Sequence, residues 1–537
     1  MRPIFFTAVF KNLWLWFPLC VVMIAGYFSI QPLAYYGKEV IGFTLMTLAA
    51  TSITSLFYRT ALAKGIAIAS YLLLAFFAFV KLSFYLQYGV GISASALFVI
   101  FETNAGEASD YLSNYFNTTT IFLAILLLVP LFWLLKAKRK RKIERTPNKI
   151  QTIFRAALLI GIAFISVFLI RKYFRTQNIP YATISTFKEY KIAKQQLKDK
   201  LAQPTSPAFT EVTSQADPQT YVVVIGESTS SWHLQLYGYG RETNPKLTTI
   251  KNDLLVMDNV ISPHVHTITA VEKILTLADS ENSKPSVNGS IIQLANQAGF
   301  TTYWISNQKP VGLYESIPTI LGSAAQHTRF LATDDYNYQI YDEAVLPVLD
   351  ELLQEETHAK KIIFIHLIGT HLRYEKRYPE TFNMFKDNPP HLKFQHKKAI
   401  EQTNLYDNAV RYNDSIMYEI IQRLDQQKER SYLAYFADHG DEVYDTMDFL
   451  GHNEYHGTAP MFEVPMIFWF SEAYKKPSDS LWATYNKRKY SLEHFPHTFA
   501  QLSGIGFRGF DASKSILDSS FVDRPRIVKD TVDYDKR

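Results

Sequence analysis

Hydrophobic residues are distributed in two different ways along the chain. Before Arg171 they form long unbroken runs; after it they come as short β-branched clusters separated by stretches of helical periodicity. Five of the runs, residues 13–30, 40–58, 65–86, 120–135 and 153–170, approach or exceed the ~17 residues that a helix needs to cross a bilayer. They predict a five-helix transmembrane anchor. The first run lacks a small-residue cleavage pattern and a second follows at once, so it reads as a span and not as a removed signal peptide. From Tyr221 onward, apolar runs at 221–225, 302–306, 361–367, 432–437 and 466–470 alternate with helical segments. That alternation predicts an α/β domain, a doubly wound and mostly parallel sheet with helices on both faces.

Charge orients the anchor. Arg2 and Lys11 precede the first run, Arg59 and Lys64 separate the second from the third, and a block from Lys136 to Lys149 separates the fourth from the fifth. Basic loops stay cytoplasmic, so an odd number of spans sends everything after Arg171 across the membrane. In a bacterium this predicts a multi-pass inner-membrane protein whose globular half is periplasmic. Lys81, near the outer end of the third run, is expected to snorkel. Residues 93–115 are too apolar for a plain loop and are expected on the membrane surface, with Glu102, Asn104 and Glu107 available to a lipid headgroup or forming a solvated face. Residues 183–201, with five lysines on a helical background, read as an interfacial helix beside anionic lipid, and the Pro/Ser/Thr-rich residues 203–218 as a linker. The expected organisation is thus 1–175 transmembrane, 176–218 interfacial helix and linker, and 219–537 catalytic.

Composition narrows the classes. A single cysteine, Cys20, among 537 residues excludes an intrachain disulfide and a thiolate zinc site. The net charge of +5, from 55 basic and 50 acidic residues, is too mild and dispersed for a nucleic-acid partner. All 14 histidines lie at or after His233, and several fall with acidic residues at the predicted strand ends. His264, His266, His366, His371, His439, His452 and His456, with Glu227 and Asp438, therefore point to a catalytic metal site of zinc or manganese type. For a nucleophile, Thr229, Thr267 and Thr269 are candidates; Thr267 falls at a predicted helix N-terminus, where backbone N–H groups favour phosphate.

At this point the motifs resemble a known family. Val224-Ile225-Gly226-Glu227-Ser228, Arg241-Glu242-Thr243-Asn244-Pro245, Asn259-Val260-Ile261-Ser262 with Thr267-Ile268-Thr269-Ala270-Val271, Trp304-Ile305-Ser306-Asn307-Gln308, Gly369-Thr370-His371, Tyr406-Asp407-Asn408 and Asp438-His439-Gly440-Asp441 are similar to those of bacterial phosphoethanolamine transferases of the alkaline phosphatase/sulfatase superfamily. The resemblance implies that Glu227, Asp438, His439 and the Thr267 hydroxyl hold one zinc ion, with a second ion or manganese as variants. It implies Thr267 as nucleophile and His371 as a contact to the transferred phosphate. His452 fits the family's spacing after Asp-His-Gly, whereas His456 fits its His-Gly dipeptide, so both are candidate substrate contacts.

The implied reaction moves phosphoethanolamine from phosphatidylethanolamine to an envelope glycolipid, lipopolysaccharide core or lipid A, and releases diacylglycerol. Many relatives carry Cys-Gly before the nucleophile; Val265-His266 stands here instead, which points to core sugars or other envelope acceptors. The same anchor, zinc and threonine would serve a glycerol-phosphate transferase or phosphodiesterase. A noncatalytic metal-binding receptor would leave a threonine opposite Glu227 and Asp438 without purpose.

Overall fold

The structure is a computed structural model. It describes residues 12–30, 33–57, 60, 62–88, 91–92, 97, 118–136, 149–215, 218–282, 288–308, 317–332, 340–355, 360–390, 392–474, 481 and 484–537. Glu102, Asn104, Glu107, Arg2, Lys11, Arg59 and most of the basic block lie outside the described residues. The chain divides into two compact units, Met1–Ile192 and Ala193–Arg537.

In the first unit the apolar runs become helices α1 (Phe17–Ser29), α2 (Leu33–Leu56), α3 (Ala63–Tyr88), α4 (Thr118–Lys136) and α5 (Lys149–Tyr173), followed by α6 (Ile179–Leu201), in which the division between the units falls. Among the described residues, three helices are long and apolar enough to cross a membrane: Leu33–Leu56, Ala63–Leu86 and Lys149–Tyr173. Leu13–Ser29 and Thr118–Phe132 are shorter apolar helices, so the count of five spans stays an expectation. The first run is divided by a 3₁₀ turn at Leu13–Trp16, and Pro130 lies inside α4. Small and hydroxylated residues, Gly42, Thr47, Ala49, Thr51, Ser52, Thr54 and Ser55, make up most of the buried face of α2, which packs on α5. Between apolar helices in lipid, such residues let backbones approach closely.

Lys81 does not snorkel. It is 4% exposed and ion-paired with Glu39, which is 1% exposed. Its Nζ also donates to the Gln177 carbonyl at 2.9 Å, and Tyr85 donates to Glu39 at 3.1 Å. The partner carboxylate, just ahead of the second apolar run, offers the ammonium a better environment than the route to water.

The second unit is built on a seven-stranded sheet. Its strands are β1 (Gln219–Gly226), β2 (Leu254–Val256), β3 (Thr301–Ser306), β4 (His327–Phe330), β5 (Lys360–His366), β6 (Ser431–Ala437) and β7 (Met466–Phe470). Their order is β2-β7-β6-β1-β5-β3-β4, and only β7 runs against the others. The five expected strands are all present; edge strands β2 and β4 are additional, because three or four residues at a sheet edge leave little periodic signal. Central β1 is buried along its whole length. Tyr221, Val223 and Ile225 enter one apolar layer and Val222 and Val224 the other, as the two-residue period requires. The first layer includes Ile274 of α8 (Thr267–Ile274), Leu294 of α9 (Ile291–Gln297) and Phe499 of α14 (Phe495–Leu502). The second is covered by α11 (Val345–Gln354) and by α12 (Lys397–Gln427), 31 residues long. Further short helices among the described residues are α7 (Pro245–Thr249), α10 (Ile317–Gly322) and α13 (Ala459–Phe462).

Residues 203–215, expected within a linker, are packed on this unit. Phe209 is 3% exposed in the first layer, Thr213 and Ser214 pair with Gly506 and Ile505, and Gln293 Nε2 donates to the carbonyls of Lys200, Gln203 and Thr205. Their Pro/Ser/Thr composition reads as a linker, but side-chain amides of α9 satisfy the backbone.

Two tests follow from this packing. A fragment beginning at Ala193 should be more stable to urea than one beginning at Gln219, by about 3–5 kcal/mol, the typical loss of a buried Phe; equal midpoints would contradict the docking of 203–215. In the first unit, Lys81→Met alone should lower thermal stability more than Lys81→Met with Glu39→Gln, because the single change strands a buried carboxylate at a cost of about 3–5 kcal/mol. Additive losses would contradict the pair.

Candidate active site

The carboxyl ends of β1, β5 and β6 deliver the site, where an open α/β sheet gathers its ligand groups. After β1 the chain turns through Glu227 and Ser228. Ser228 is fully buried with φ +56°, a strained conformation for a non-glycine residue. Its carbonyl accepts from Tyr406 of α12 at 2.8 Å, and its N–H donates to Asp438 Oδ1 at 3.2 Å. After β5, the N–H and hydroxyl of Thr370 donate to the Glu227 carbonyl at 3.0 and 3.1 Å. Gly369 has φ +51°, and a Cβ there would lie 2.8 Å from the Glu227 backbone nitrogen and oxygen. After β6, a Cβ on Gly440 would run into the Pro460 carbonyl. The glycines of both motifs are thus close-approach positions.

These turns bring Glu227, Asp438 and His439 together, all three buried, with candidate ligand atoms within 4.8 Å of one another. His439 Nε2 is 3.2 Å from Glu227 Oε1 and 3.6 Å from Asp438 Oδ2. Thr267, the first residue of α8, donates from Oγ1 to Glu227 Oε1 and Oε2, each at 3.2 Å, and lies 3.3 Å from His439 Nε2. The other candidate threonines are engaged elsewhere. Thr269 donates to the His266 carbonyl of its own turn at 3.2 Å, and Thr229 to the Glu227 carbonyl at 3.2 Å.

Electrostatics mark the cluster as a cation site. Burial and the neighbouring Glu227 charge push the Asp438 carboxyl up to about 8. Burial opposes charge on His439, but Asp438 and Glu227 outweigh it and push the imidazole up to about 10. Burial alone would raise Glu227 too, yet His439 holds it well below the usual carboxylate range. Protons thus stand where a divalent cation would. Asp438 Oδ2, buried and without a hydrogen-bond partner, is an orphaned acceptor that a metal ion would satisfy. Two carboxylates, one imidazole and a hydroxyl form a donor set suited to zinc or manganese.

Around this centre, His452 Nδ1 is 2.8 Å from Asp441 Oδ1, and its ring centroid is 4.2 Å from that of His439. His439, Asp441 and His452 form a second group with metal-ligand spacing. His456 packs its ring 4.9 Å from Phe449 and belongs to neither group, so geometry favours His452 over it. His371 has a buried Nδ1 without a partner, and burial pushes it down to about 4, leaving a neutral ring. Burial likewise pushes His366 down to about 4, with Nδ1 at 3.2 Å from Ser306. His264 and His266 are not in the cluster: His264 is held by Glu454 at 2.6 Å, and His266 packs on His452 with ring centroids 5.3 Å apart.

Sequence reasoning missed three supporting residues. Gln308 donates to Glu227 Oε2 at 3.1 Å and to the Leu367 carbonyl at 2.9 Å. Asp441 receives Tyr374 at 2.7 Å on the oxygen that does not face His452. Both lie inside motifs already singled out, so their placement was within reach. Asp342 had no such signal. Its carboxylate accepts the N–H groups of Ile368 and Gly369 at 3.0 and 2.9 Å and thereby holds the turn that carries His371.

The sequence model of the Sulfatase family matches residues 219–505, and that of Phosphoethanolamine transferase EptA/EptB matches residues 46–185. Phosphoethanolamine transferase EptC of Escherichia coli (strain K12) is 31% identical over 488 residues, covering 84% of this chain and 83% of the relative. Phosphoethanolamine transferase CptA of Salmonella typhimurium is 31% identical over 493 residues, with the same coverage of 84% and 83%. The crystal structure of the C-terminal periplasmic domain of E. coli EptC in complex with Zn is 32% identical, with TM-score 0.59 over 62% of this chain and 97% of that one. The integral membrane protein lipooligosaccharide phosphoethanolamine transferase A (EptA) of Neisseria meningitidis, 18% identical, shares the fold with TM-score 0.64 over 96% of this chain and 98% of that one. Fold, motifs and relatives agree, and the chain belongs to the phosphoethanolamine transferase family of the alkaline phosphatase/sulfatase superfamily.

Proposed function

We propose that this enzyme takes phosphoethanolamine from phosphatidylethanolamine and passes it, through a phosphothreonine at Thr267, to an envelope glycolipid such as lipopolysaccharide core or lipid A. The observation that carries the reading is the Thr267 hydroxyl at the N-terminus of α8, 3.2 Å from both Glu227 oxygens. Glu227, Asp438, His439 and Thr267 would hold one zinc ion. When bound, zinc supplies the Lewis acidity that lets a hydroxyl in this position act near neutral pH.

Thr267 Oγ1 forms the new bond to phosphorus, the bond to the diacylglycerol oxygen breaks, and diacylglycerol leaves with a proton. An acceptor oxygen then bonds to phosphorus and displaces Thr267 Oγ1, which takes up the acceptor's proton. First-turn N–H groups of α8 and its dipole favour the phosphoryl oxygens. Neutral His371, together with His452, which lies beside His439, would contact the transferred group. The apolar helices of the first unit support a membrane-confined donor, since confinement raises the effective concentration of lipid at the site. Relatives described by a periplasmic C-terminal domain and as an integral membrane protein support an inner-membrane anchor, 1–175, carrying a periplasmic catalytic region, 219–537. Glu102, Asn104 and Glu107 are proposed to meet the donor's ammonium group.

Thr267→Ala should lower transfer from phosphatidylethanolamine vesicles by about a thousandfold or more, as loss of a covalent nucleophile does. Thr269→Ala should stay within a few-fold, and both should keep their melting temperatures, since neither hydroxyl is fully buried. Turnover by Thr267→Ala would overturn the nucleophile.

Zinc binding should release protons, because His439 is raised to about 10 and Asp438 to about 8 without a cation, and both must deprotonate to bind one. Apparent zinc affinity should therefore rise about tenfold per pH unit for each proton released between pH 6 and 8. Titration calorimetry in buffers of different ionisation enthalpy reads this directly, and a pH-independent affinity would contradict the ligand set.

A further inference from the structure

We infer that His264 is a positioning residue that fixes the loop carrying Thr267 against the loop carrying His452, with residues 526–537 bonded to the first of these loops. The inference rests on the reading of Thr267 as nucleophile.

His264 stands three residues before Thr267 and is 4% exposed. Its ring bridges two other segments. Nδ1 is 2.6 Å from Glu454, two residues beyond His452, and Nε2 is 3.5 Å from Asp530. Asp530 in turn pairs at 2.5 Å with Lys273, which lies on α8 behind the nucleophile and is 8% exposed. One imidazole and two carboxylates thus link the start of the loop to the His452 loop and to the body of α8.

Residues 526–537 reinforce these links. Lys529 N–H donates to the Pro263 carbonyl at 3.0 Å, Arg526 donates to Asn259 Oδ1 at 2.9 Å, and Tyr534 donates to Glu463 at 2.6 Å. The turn between the paired residues Ile527–Val528 and Val532–Asp533 holds Lys529 at φ +53° and Asp530 at φ +65°. Two successive non-glycine residues in the left-handed region are strained, and they persist only where surrounding contacts over-determine them. Here Lys529 reaches Pro263 in the loop before Thr267, and Asp530 reaches His264 in that loop and Lys273 on α8.

The loop needs such a device. Residues 262–266 are outside any strand; Ser262 bonds the His264 carbonyl at 2.7 Å, but the His266 side chain makes no cap to α8, so contacts from other segments add to what places Thr267. A displacement of about 1 Å in a reacting group can lower a rate by two orders of magnitude. His264 carries no ligand atom in either metal-spaced cluster among the described residues, which separates its role from metal binding.

The test uses the full-length protein and a water-soluble phosphoethanolamine ester, with kcat, KM, zinc per chain, melting temperature and the rate of Thr267 labelling measured together. His264→Phe keeps an aromatic ring and removes both nitrogens; Asp530→Asn, at a side chain 58% exposed, is a second and milder variant. Both should lower kcat and the labelling rate by about tenfold or more with KM within about twofold and zinc content unchanged. His264→Gln, which can still reach one partner, should recover part of the loss. A kcat within twofold of the parent in both variants, or a loss that only follows falling zinc content or melting temperature, overturns the positioning role. Thr267→Ala is run beside them: if it turns over, the nucleophile and the positioning role fall together. If it is inactive while His264→Phe and Asp530→Asn are unimpaired, the positioning role falls alone.

Discussion

Two carboxylates, Glu227 and Asp438, are buried against a single imidazole, and among the described residues no lysine or arginine pairs with either. Negative charge of this kind is tolerated in a protein interior only when a proton or a cation shares it. The rest of the catalytic unit is arranged around that requirement. β1 and β6 are neighbours in the centre of the sheet, so Glu227 and Asp438 emerge side by side from adjacent strand ends. Both apolar layers keep water from the strands beneath them. Among the described residues, the Thr267 hydroxyl is the threonine group that reaches the Glu227 carboxylate and the His439 ring, and it is therefore the group whose acidity a bound cation would change.

Support for the cluster comes from residues distant in sequence. Tyr406 on α12 fastens the turn after β1, Asp342 fastens the turn after β5, and Gln308 after β3 shares a hydrogen bond with Glu227. Each acts on backbone or on a carboxylate oxygen, so the cluster is held from several directions and its ligand atoms have little freedom to separate. His233 shows the same logic used structurally: buried between Asp407 and Asp445, at 2.6 and 3.2 Å, it is pushed up to about 10 because the two carboxylates outweigh the burial that opposes its charge.

Much of this was legible in the sequence, for identifiable reasons. Long central strands flanked by polar strand ends gave five of the seven strands and the positions of Glu227, His371, Asp438 and His439, because burial on both faces forces continuous β-branched runs. Edge strands β2 and β4 did not register, being too short to express a period. The reversed direction of β7 has no local signature at all. Lys81 was misread because its partner Glu39 is 42 residues away on another helix, and nothing in the local pattern couples them. Residues 203–215 were misread because composition reports chain flexibility and not the amide groups of α9 that capture the backbone. Among the histidines, spacing could not separate the roles of His264, His266, His452 and His456; only the fold sets His452 beside His439 and sends His264 to Glu454.

Peptide-mapping mass spectrometry tests most directly whether Thr267 carries the transferred group. Enzyme sampled during turnover of phosphatidylethanolamine without acceptor should carry phosphoethanolamine on the peptide containing Thr267, with fragment ions assigning it to that residue, and added acceptor should discharge it. An enzyme that turns over while Thr267 remains unmodified, or that carries the group on Thr229, Thr269 or a histidine, would contradict the account.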